Sequence, residues 1–474
     1  MKRKAIILLI WIAIWQAIAM AVGNSLLLPS PIETIGALFQ LIRDGSFYLD
    51  VLATIVRCIV AIVLSLVLGF ICALAAYKNS VVKDILSLPI SLFKAIPIMA
   101  VAIYMILLMS PDNVPVLVCW VMGFPIVYTN LLTGLENMDR SLLEMAQVYN
   151  ISGKRKVRLI YMPSLFPYFS SAMSILAGMS WKAIVTAEVL SIPKFSLGYE
   201  LMNSKYYLNT SNLFAYVLTI IAISVAFEKL IKIILAKATA HNYEHSKVAK
   251  LAKNSTTSCS NDETPSYGDV ATAAHYGSST NVATRKDIAV SLSNIDKSFG
   301  DKEVLHSFNM KLATGKVTAI MGSSGKGKTT IARILTGLET VDAGKVEAPI
   351  KIAYLFQEDR LLPWLNVYDN LAIVMDKVDD DKIHQMLELV GLDEEAWKLP
   401  GELSGGMSYR VAMARAFIYD ASFLIADEPF RGLDDETKNK AIDKLWKPGI
   451  VGKTVLLITH SAEDAKLADK VISL

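Results

Sequence analysis

Long apolar runs constrain the fold of this chain more than any other feature of its sequence. Six stretches are long and apolar enough to cross a membrane, because about 20 helical residues match the hydrocarbon core. Inside lipid the backbone must satisfy its own hydrogen bonds, so runs of this length are predicted to be α-helices. The predicted spans are residues 5–22, 50–77, 84–109, 114–134, 166–190 and 211–235. The first part of the chain is therefore predicted to be an all-α polytopic membrane domain.

The first apolar run has a second interpretation. Met1-Lys-Arg-Lys4 and the residues after it also resemble a cleaved secretory signal, with Ala17-Ile-Ala19 as the cleavage site. Because the run is long enough to span, we interpret it as a retained helix. With the amino terminus in the cytoplasm, most lysines and arginines between spans fall on the cytoplasmic side. Five spans after a cleaved signal would end on the same side.

The composition agrees with a membrane protein that is surrounded by lipid. Of the 474 residues, 53% are apolar and 19% are charged, which is too apolar for an ordinary cytosolic enzyme. The net charge of +3 is too small to indicate a nucleic-acid partner. The cysteines lack metal-ligand and redox spacing, so we interpret them as unpaired side chains. They are Cys58, Cys72, Cys119 and Cys259.

The character of the chain changes twice after the last apolar run. Residues 238–285 are rich in Ser, Thr, Asn, Gly and Ala, which predicts a flexible cytoplasmic linker. Its His241 and His245 have helical spacing but no further ligands nearby, so we interpret them as solvated. From Ile288 onward strand-like and helix-like segments alternate, as in an α/β nucleotide-binding domain. The predicted domains are 1–237, 238–285 and 286–474.

A glycine-rich segment of the last domain predicts phosphate binding. It has the pattern G-x-x-x-x-G-K-[ST] and lies between a strand-like run, 316–321, and a helix-like run, 331–335. Those flanks argue against a chance glycine-rich turn, since backbone N–H groups at a helix start can wrap phosphates. Lys328 is predicted to reach the β- and γ-phosphates, and Thr329 to bind Mg²⁺. The predicted loop residues are Gly322, Ser323, Ser324, Gly325, Lys326, Gly327, Lys328, Thr329 and Thr330.

Two further apolar runs end in candidate catalytic residues. The run 422–426 precedes Asp427 and Glu428. A carboxylate at such a strand end can hold Mg²⁺, and the next one can polarise the attacking water. We predict Asp427 for the metal and Glu428 as the general base. The run 455–459 precedes His460, whose position favours a contact with the γ-phosphate over a structural role.

These motifs, in this order, resemble the ATPases of ABC transporters. Leu403-Ser-Gly-Gly-Met407 is similar to their signature loop, which most often ends in Gln. The run Leu355-Phe-Gln-Glu-Asp-Arg-Leu-Leu-Pro-Trp364 resembles the nitrate/sulfonate/taurine importer ATPases. The chain departs from the family at Lys326, where Ser or Cys is usual, and at Ser408-Tyr409, which replaces the common Arg-Gln.

The resemblance implies roles for further residues. Gln357 would be the Q-loop residue, both catalytic and a Mg²⁺ ligand, and His460 the switch histidine. Phe299 would stack on adenine, and Gly432-Leu-Asp434 would form the D-loop. In the family, each ATP is bound between the phosphate loop of one ATPase domain and the signature loop of another. Two copies of this chain are therefore expected, or one copy with a related fusion, with signature contacts from Ser404, Gly405 and Gly406.

The membrane half resembles the matching importer permeases. The segment 144–163 is similar to their cytoplasmic loop pattern, E-A-A-x₃-G-x₉-I-x-L-P. Asn150 replaces Gly, and Asn tolerates the left-handed conformation that Gly usually supplies. In the family this loop docks on the ATPase; a basic loop resting on anionic lipid is the alternative for Lys154 to Arg158. The docking residues implied are Glu144, Ala146, Asn150 and Pro163.

Among the charged residues inside predicted spans, Arg57, Lys182 and Glu188 stand out. Such residues are costly in hydrocarbon and are expected to face the bundle interior or an interface. Lys182 and Glu188 are six residues apart and do not share a helix face. Arg57 or Lys182 is a candidate for attracting an anionic substrate, with snorkelling or structural pairing as the alternative.

Taken together, the resemblance implies a fused permease and ATPase, one half of a type I ABC importer of the cytoplasmic membrane. Using ATP and Mg²⁺, it would import a small anionic nutrient, such as nitrate, a sulfonate or taurine, from a separate binding protein. The expected fold class is an all-α polytopic membrane domain followed by an α/β P-loop ATPase domain. An exporter half-transporter, which should lack the 144–163 pattern, and a mechanotransmitting ATPase without transport are the alternatives.

Overall fold

The computed structural model of the chain describes residues 2–243, 288–323 and 325–474. His245, Cys259, Ser324 and most of the predicted linker lie outside the described residues. The chain divides into two compact units. The first consists of Met1–Met138 and Ser164–Ala240, and the second of Asp139–Pro163 and His241–Leu474.

The first unit is built from helices, which confirms the all-α class predicted for the membrane domain. Its last helix continues to Tyr243, six residues beyond the predicted end of the domain at 237. Cys58, Cys72 and Cys119 are unpaired, as predicted. The helices are Lys2–Val22, Pro31–Arg43, Gly45–Lys78, Ser80–Ala95, Ile98–Leu108, Val114–Glu136, Met162–Ser191, Leu197–Tyr206 and Thr210–Tyr243.

Three helices among the described residues are long and apolar enough to cross a membrane. They are Gly45–Lys78, Val114–Glu136 and the continuous helical run Gly153–Ser191. Ser80–Ala95 and Ile98–Leu108 add a fourth crossing if they form one broken span. The predicted first and last spans fall on the helices Lys2–Val22 and Thr210–Tyr243. Six crossings therefore remain a prediction.

The predicted span 84–109 is not one straight helix. It is divided into two helices that are bent by 105°. The cause is Pro97, which has no backbone N–H and keeps the preceding residue out of the helical region. Ile96 accordingly has an extended conformation, with φ −73° and ψ 128°.

Small residues bring helices of the first unit close together. A Cβ added at Gly69 would lie 2.6 Å from Val127 Cγ1, and one added at Gly123 would lie 2.6 Å from Ser65 Oγ. Small residues are typical of helix contacts in membranes, where close packing replaces the hydrophobic driving force.

The second unit contains two sheets, which confirms the α/β class predicted for the ATPase domain. The antiparallel sheet has the order β2-β1-β4, and the parallel sheet has the order β5-β6-β7-β3-β8. Strands β6 and β7 are buried at every residue, as expected for parallel strands covered on both faces. The strands are β1 Ile288–Phe299, β2 Lys302–Ala313, β3 Val317–Met321, β4 Ala343–Glu347, β5 Ile352–Leu355, β6 Phe423–Asp427, β7 Thr454–Ile458 and β8 Lys470–Ser473.

The parallel sheet brings the predicted chemistry to one edge. Strand β7 pairs with both β3 and β6 in parallel, so the three carboxyl ends point the same way. The glycine-rich loop follows β3, Asp427 ends β6, and His460 follows β7. Ligands of α/β folds bind at this edge. The main helices around the sheets are Arg140–Val148, Lys328–Leu335, Val367–Ala372, Asp380–Leu389, Gly405–Ile418 and Asp435–Ala441.

Candidate functional site

The glycine-rich loop encloses the amine of its lysine. Lys328 Nζ donates hydrogen bonds to the carbonyl oxygens of Gly322, at 2.7 Å, and Ser323, at 2.9 Å. The following helix, Lys328–Leu335, begins after Gly327, whose φ of 89° requires glycine. The amine and the first N–H groups of the helix therefore lie where a phosphate is predicted to bind.

Two oxygen ligands suited to Mg²⁺ are in contact. The Thr329 hydroxyl donates to Asp427 Oδ2 at 3.1 Å, and Asp427 is only 2% exposed. Burial raises the pKa of Asp427 to about 6, and a bound cation would favour the ionised form. A hydroxyl and a carboxylate are hard oxygen donors, so the residues fit this metal.

Glu428 connects the predicted catalytic residues. Its Oε2 accepts a hydrogen bond from Gln357 Nε2 at 3.1 Å, and its Oε1 lies 2.9 Å from His460 Nδ1. Its backbone has a φ of 52°, which is uncommon for a residue other than Gly, Asn or Asp. The structure thus places Gln357, Glu428 and His460 in one hydrogen-bonded group.

A pocket of about 410 Å³ is lined by nine of the predicted site residues. Phe299 lies in its lining and is 49% exposed, so a face of the ring is open to a stacking partner. Lys302 and Val304 also line the pocket, but no sequence motif singles out such residues on an edge strand. The predicted lining residues found there are Phe299, Gly325, Gly327, Lys328, Thr329, Thr330, Gln357, Asp427 and Glu428.

The signature residues take no part in this pocket. Among the described residues, those that line it do not include Ser404, Gly405 or Gly406. Ser404 and Gly405 are exposed, and the Ser404 hydroxyl accepts from the Met407 N–H at the start of the helix Gly405–Ile418.

Asp434, like Ser404, caps the start of a helix with its side chain. Its carboxylate accepts from the Thr437 N–H at 2.9 Å, at the start of the helix Asp435–Ala441. This bond holds the pKa of Asp434 below its usual value. Like the signature residues, Asp434 does not belong to the described lining of the pocket.

The segment Asp139–Pro163, here called the docking segment, packs within the second unit. Met145 and Ala146 of its helix Arg140–Val148 have no exposed surface and belong to the core shared with the sheets. Glu144 accepts two hydrogen bonds from Arg333, at 2.8 and 2.9 Å, and one from Arg360, at 2.8 Å. The bond from Arg333 is the main reason that the pKa of Glu144 lies below its usual value.

The turn after this helix has the backbone predicted from its sequence. Asn150 adopts a φ of 50°, the left-handed conformation that Gly supplies in the family pattern. Its side chain donates to the carbonyl oxygen of Ile350 at 3.5 Å. Arg155, from the basic cluster, donates to the main-chain oxygens of Ala372 and Met375. This basic side chain therefore binds main-chain carbonyl groups at a helix end, where cations are favoured.

Two aromatic contacts of the docking segment were not predicted. The Tyr149 hydroxyl donates to the carbonyl oxygen of Tyr354 at 3.0 Å, and Trp364 Nε1 donates to that of Leu159 at 2.7 Å. Leu159 lies in a π-helical turn, Val157–Tyr161, shortly before Pro163, which lacks a backbone N–H. The indole of Trp364, from the run 355–364, supplies a donor to this turn.

Two charged residues singled out in the spans, Arg57 and Glu188, are paired with each other. Arg57 forms an ion pair of 2.9 Å with Glu188, which has no exposed surface. Arg57 also donates to the carbonyl oxygens of Lys194, at 2.9 Å, and Phe195, at 3.0 Å. Structural pairing therefore accounts for Arg57, and the structure does not support its prediction as an anion attractor. Glu188 pairs with this arginine and not with Lys182.

Comparisons with known proteins agree with these two halves. Residues 305–431 match the ABC transporter family, and residues 65–238 match the binding-protein-dependent transport system inner membrane component. The chain is similar to aliphatic sulfonates import ATP-binding protein SsuB 1 of Paracoccus denitrificans, with 38% identity covering 39% of this chain and 79% of that protein. It is 40% identical to aliphatic sulfonates import ATP-binding protein SsuB 1 of Pseudomonas fluorescens, over 39% of this chain and 73% of that protein. A solved dimeric ATP-binding cassette bound to ADP and Pi is 28% identical, with a TM-score of 0.36, covering 39% of this chain and 94% of that one.

The chain belongs to the ABC transporters, with an inner-membrane permease and an ATPase in one polypeptide. Within them it is a fused member of the nitrate/sulfonate/taurine importers. Its ATPase domain binds nucleotide and hydrolyses ATP, and this hydrolysis drives import across a membrane.

Proposed function

We propose that this chain imports a small anionic nutrient, a sulfonate, nitrate or taurine, across the cytoplasmic membrane. A separate extracytoplasmic binding protein would deliver the solute. The names of the relatives, which are sulfonate import proteins, support the substrate class. The docking segment is the observation that supports an importer rather than an exporter. It is held on the ATPase by the pairing of Glu144 with Arg333 and Arg360.

Each predicted catalytic residue would have its own role in hydrolysis. Phe299 would stack on adenine, while Lys328 and the loop N–H groups would bind the phosphates. Thr329, Asp427 and Gln357 would hold Mg²⁺, which when bound neutralises charge on the phosphates. Glu428 would polarise the attacking water, and His460 would contact the γ-phosphate.

Two copies of the chain would form the complete ATP sites. The signature residues Ser404 and Gly406 do not line the described pocket of their own chain, so a second copy would place them across the ATP. A related fusion with the same motifs would satisfy this geometry equally. The mass of the purified chain in detergent tests the proposal: a homodimer is expected, and a monomer with full cooperative ATPase activity would contradict it.

The docking segment would couple the two halves through the residues around Gln357. Tyr354, three residues before Gln357, accepts the Tyr149 hydroxyl, and Arg360, three residues after it, holds Glu144. Gln357 itself contacts Glu428 in the pocket. A change at Gln357 when ATP binds would therefore act on both contacts with the docking segment.

Uptake into proteoliposomes tests the proposed transport. The chain is reconstituted with a taurine-, sulfonate- or nitrate-binding protein in turn, and ATP-dependent accumulation of labelled taurine, an alkanesulfonate and nitrate is compared. Uptake of one solute that requires both ATP and the binding protein is expected, with the Glu428→Gln variant as the control. ATP-driven efflux would indicate an exporter. ATP turnover without solute movement would indicate the mechanotransmitting alternative.

A further inference from the structure

The hydroxyl of Tyr409 is bound to the main chain of Glu428. Tyr409 lies on the helix Gly405–Ile418, five residues after Ser404, and is 7% exposed. Its hydroxyl donates to the carbonyl oxygen of Glu428 at 3.1 Å. In sequence, Tyr409 stands out only as part of the pair that replaces the common Arg-Gln after the signature loop.

Glu428 has a backbone conformation that its neighbours must hold in place. Its φ of 52° lies in the left-handed region, which such residues adopt only when the surrounding structure fixes it. The Glu428 N–H donates to the carbonyl oxygen of Ile458 at 2.8 Å, and its carbonyl oxygen accepts from the Arg431 N–H at 3.1 Å. These two bonds join main-chain atoms and are independent of side-chain type. The third bond to this main chain, from the Tyr409 hydroxyl to the Glu428 carbonyl oxygen, comes from a side chain, so a substitution can remove it.

The direction of the Glu428 carboxylate depends on this backbone. The carboxylate lies between Gln357 and His460, at hydrogen-bond distance from both. A rotation of the main chain at Glu428 would move the carboxylate away from both partners. Fixing the carbonyl of Glu428 therefore fixes the position from which the carboxylate acts on water.

We propose that Tyr409 is a positioning residue, which ties the helix that begins at the signature loop to the catalytic base of the same chain. The inference rests on the proposed roles of Glu428 as general base and of Ser404 as a contact to the ATP of the partner copy. Ser404 caps the start of the helix that carries Tyr409, so a displacement of this helix by the partner's nucleotide would reach Glu428 through Tyr409. Tyr409 thereby links the two ATP sites.

The Tyr409→Phe variant tests this role, because it keeps the ring and removes only the donor. The kcat for ATP is expected to fall about fivefold, the effect of one net hydrogen bond. The KM for ATP should stay within about twofold, since Tyr409 lies outside the phosphate contacts. Cooperativity in ATP should also decrease. Tyr368→Phe, which removes a hydroxyl bonded to Asp380, is the control and should leave the kcat unchanged.

A matched pair of unnatural residues at 409 controls for packing. Tyr409→4-aminophenylalanine keeps a donor of similar reach and should retain the kcat, whereas Tyr409→4-methylphenylalanine has similar volume without a donor and should lose it. Equal kcat values for the two unnatural variants would overturn the inference. This comparison stays informative even if Tyr409→Phe folds poorly.

A double-mutant cycle separates this inference from the proposed function. In the Glu428→Gln background, Tyr409→Phe should cause no further loss of single-turnover rate, because Tyr409 acts through Glu428. The same fold loss in both backgrounds would show that Tyr409 has a merely structural role. A normal rate in Glu428→Gln alone would instead refute the role of Glu428 as the base.

Discussion

The docking segment and the nucleotide pocket lie in the same unit but are built in opposite ways. Met145 and Ala146 of the docking segment are fully buried, and Glu144 is held by two arginines of the ATPase. The pocket is open, with Phe299 half exposed and Lys328 bound to carbonyl oxygens of its own loop. The docking contacts are therefore made within one chain, whereas the nucleotide pocket is open to solvent.

Two carboxylates show the same difference. An arginine contact lowers the pKa of Glu144, and burial raises the pKa of Asp427. The negative charge of Glu144 is paired with two cationic side chains of the protein, Arg333 and Arg360. Asp427 is accompanied mainly by hydroxyl groups, from Thr329 and, at 3.5 Å, from Tyr354. The docking contact is therefore formed by charged side chains of the chain itself, whereas the carboxylate of the pocket is buried beside hydroxyl groups.

The largest expected effect concerns the pocket. Glu428→Gln should lower ATP turnover by about 10²–10⁴-fold, because the group that polarises water is lost. ATP binding should persist, since the phosphate contacts of Lys328 are unchanged, and the closed pair of ATPase domains should accumulate. Single-turnover hydrolysis and ATP binding measure the two effects. Glu436→Gln, at an exposed helical position, is the control. Near-normal turnover in Glu428→Gln would move the base elsewhere, with His460 the next candidate.

The next effect concerns docking. Glu144→Lys places a third cation beside Arg333 and Arg360, so uptake should fall by at least about tenfold. Basal ATPase activity should persist, because the described contacts of Glu144 are with Arg333 and Arg360, which lie outside the phosphate loop. Uptake and ATP hydrolysis are measured on the same proteoliposomes, with the exposed Glu436→Lys as the matched control. An equal loss of uptake and of basal ATP hydrolysis would mean that the docking contact also maintains the nucleotide pocket, and the two regions would not be independent.

Local patterns predicted the elements and most of the pocket. The run before Asp427, the run before His460 and the glycine-rich loop each become a strand end at one edge, because a parallel sheet aligns its carboxyl ends. The left-handed backbone of Asn150 followed from the family pattern, in which Gly is usual at this position, together with the tolerance of Asn for that conformation. Such features depend on neighbours in sequence, which a single chain reveals.

Contacts to main-chain oxygens were not predictable in this way. Tyr149, Arg155, Trp364 and Tyr409 all donate to carbonyl groups. Every residue carries a carbonyl, so the acceptor leaves no signature in the sequence. The bend at Pro97 was also missed, because an apolar run of spanning length does not reveal whether a proline within it breaks the helix.

A smaller effect is expected at the turn of the docking segment. Asn150→Val puts a β-branched residue at a φ of 50°, which costs about 1–2 kcal/mol. Uptake should fall by about five- to thirtyfold while basal ATPase activity persists. Asn150→Gly is the matched control and should transport normally, since glycine adopts this conformation freely. If Val and Gly at this position behave alike, the turn is not what holds the segment in place.

The smallest effect is predicted for pH: the contact of the docking segment with the ATPase should not depend on pH between 5 and 8. The pKa of Glu144 is lowered in the folded chain, so its ion pairs contribute fully above the pKa of a free glutamate, about 4.3. That contribution is lost only as the pH falls through the still lower folded value. Between pH 5 and 8, protection of the helix Arg140–Val148 from hydrogen exchange should therefore stay constant after correction for intrinsic rates. A loss of protection between pH 7 and 5 would show that a different titrating group controls docking, and the standing ion pair of Glu144 would no longer explain the contact.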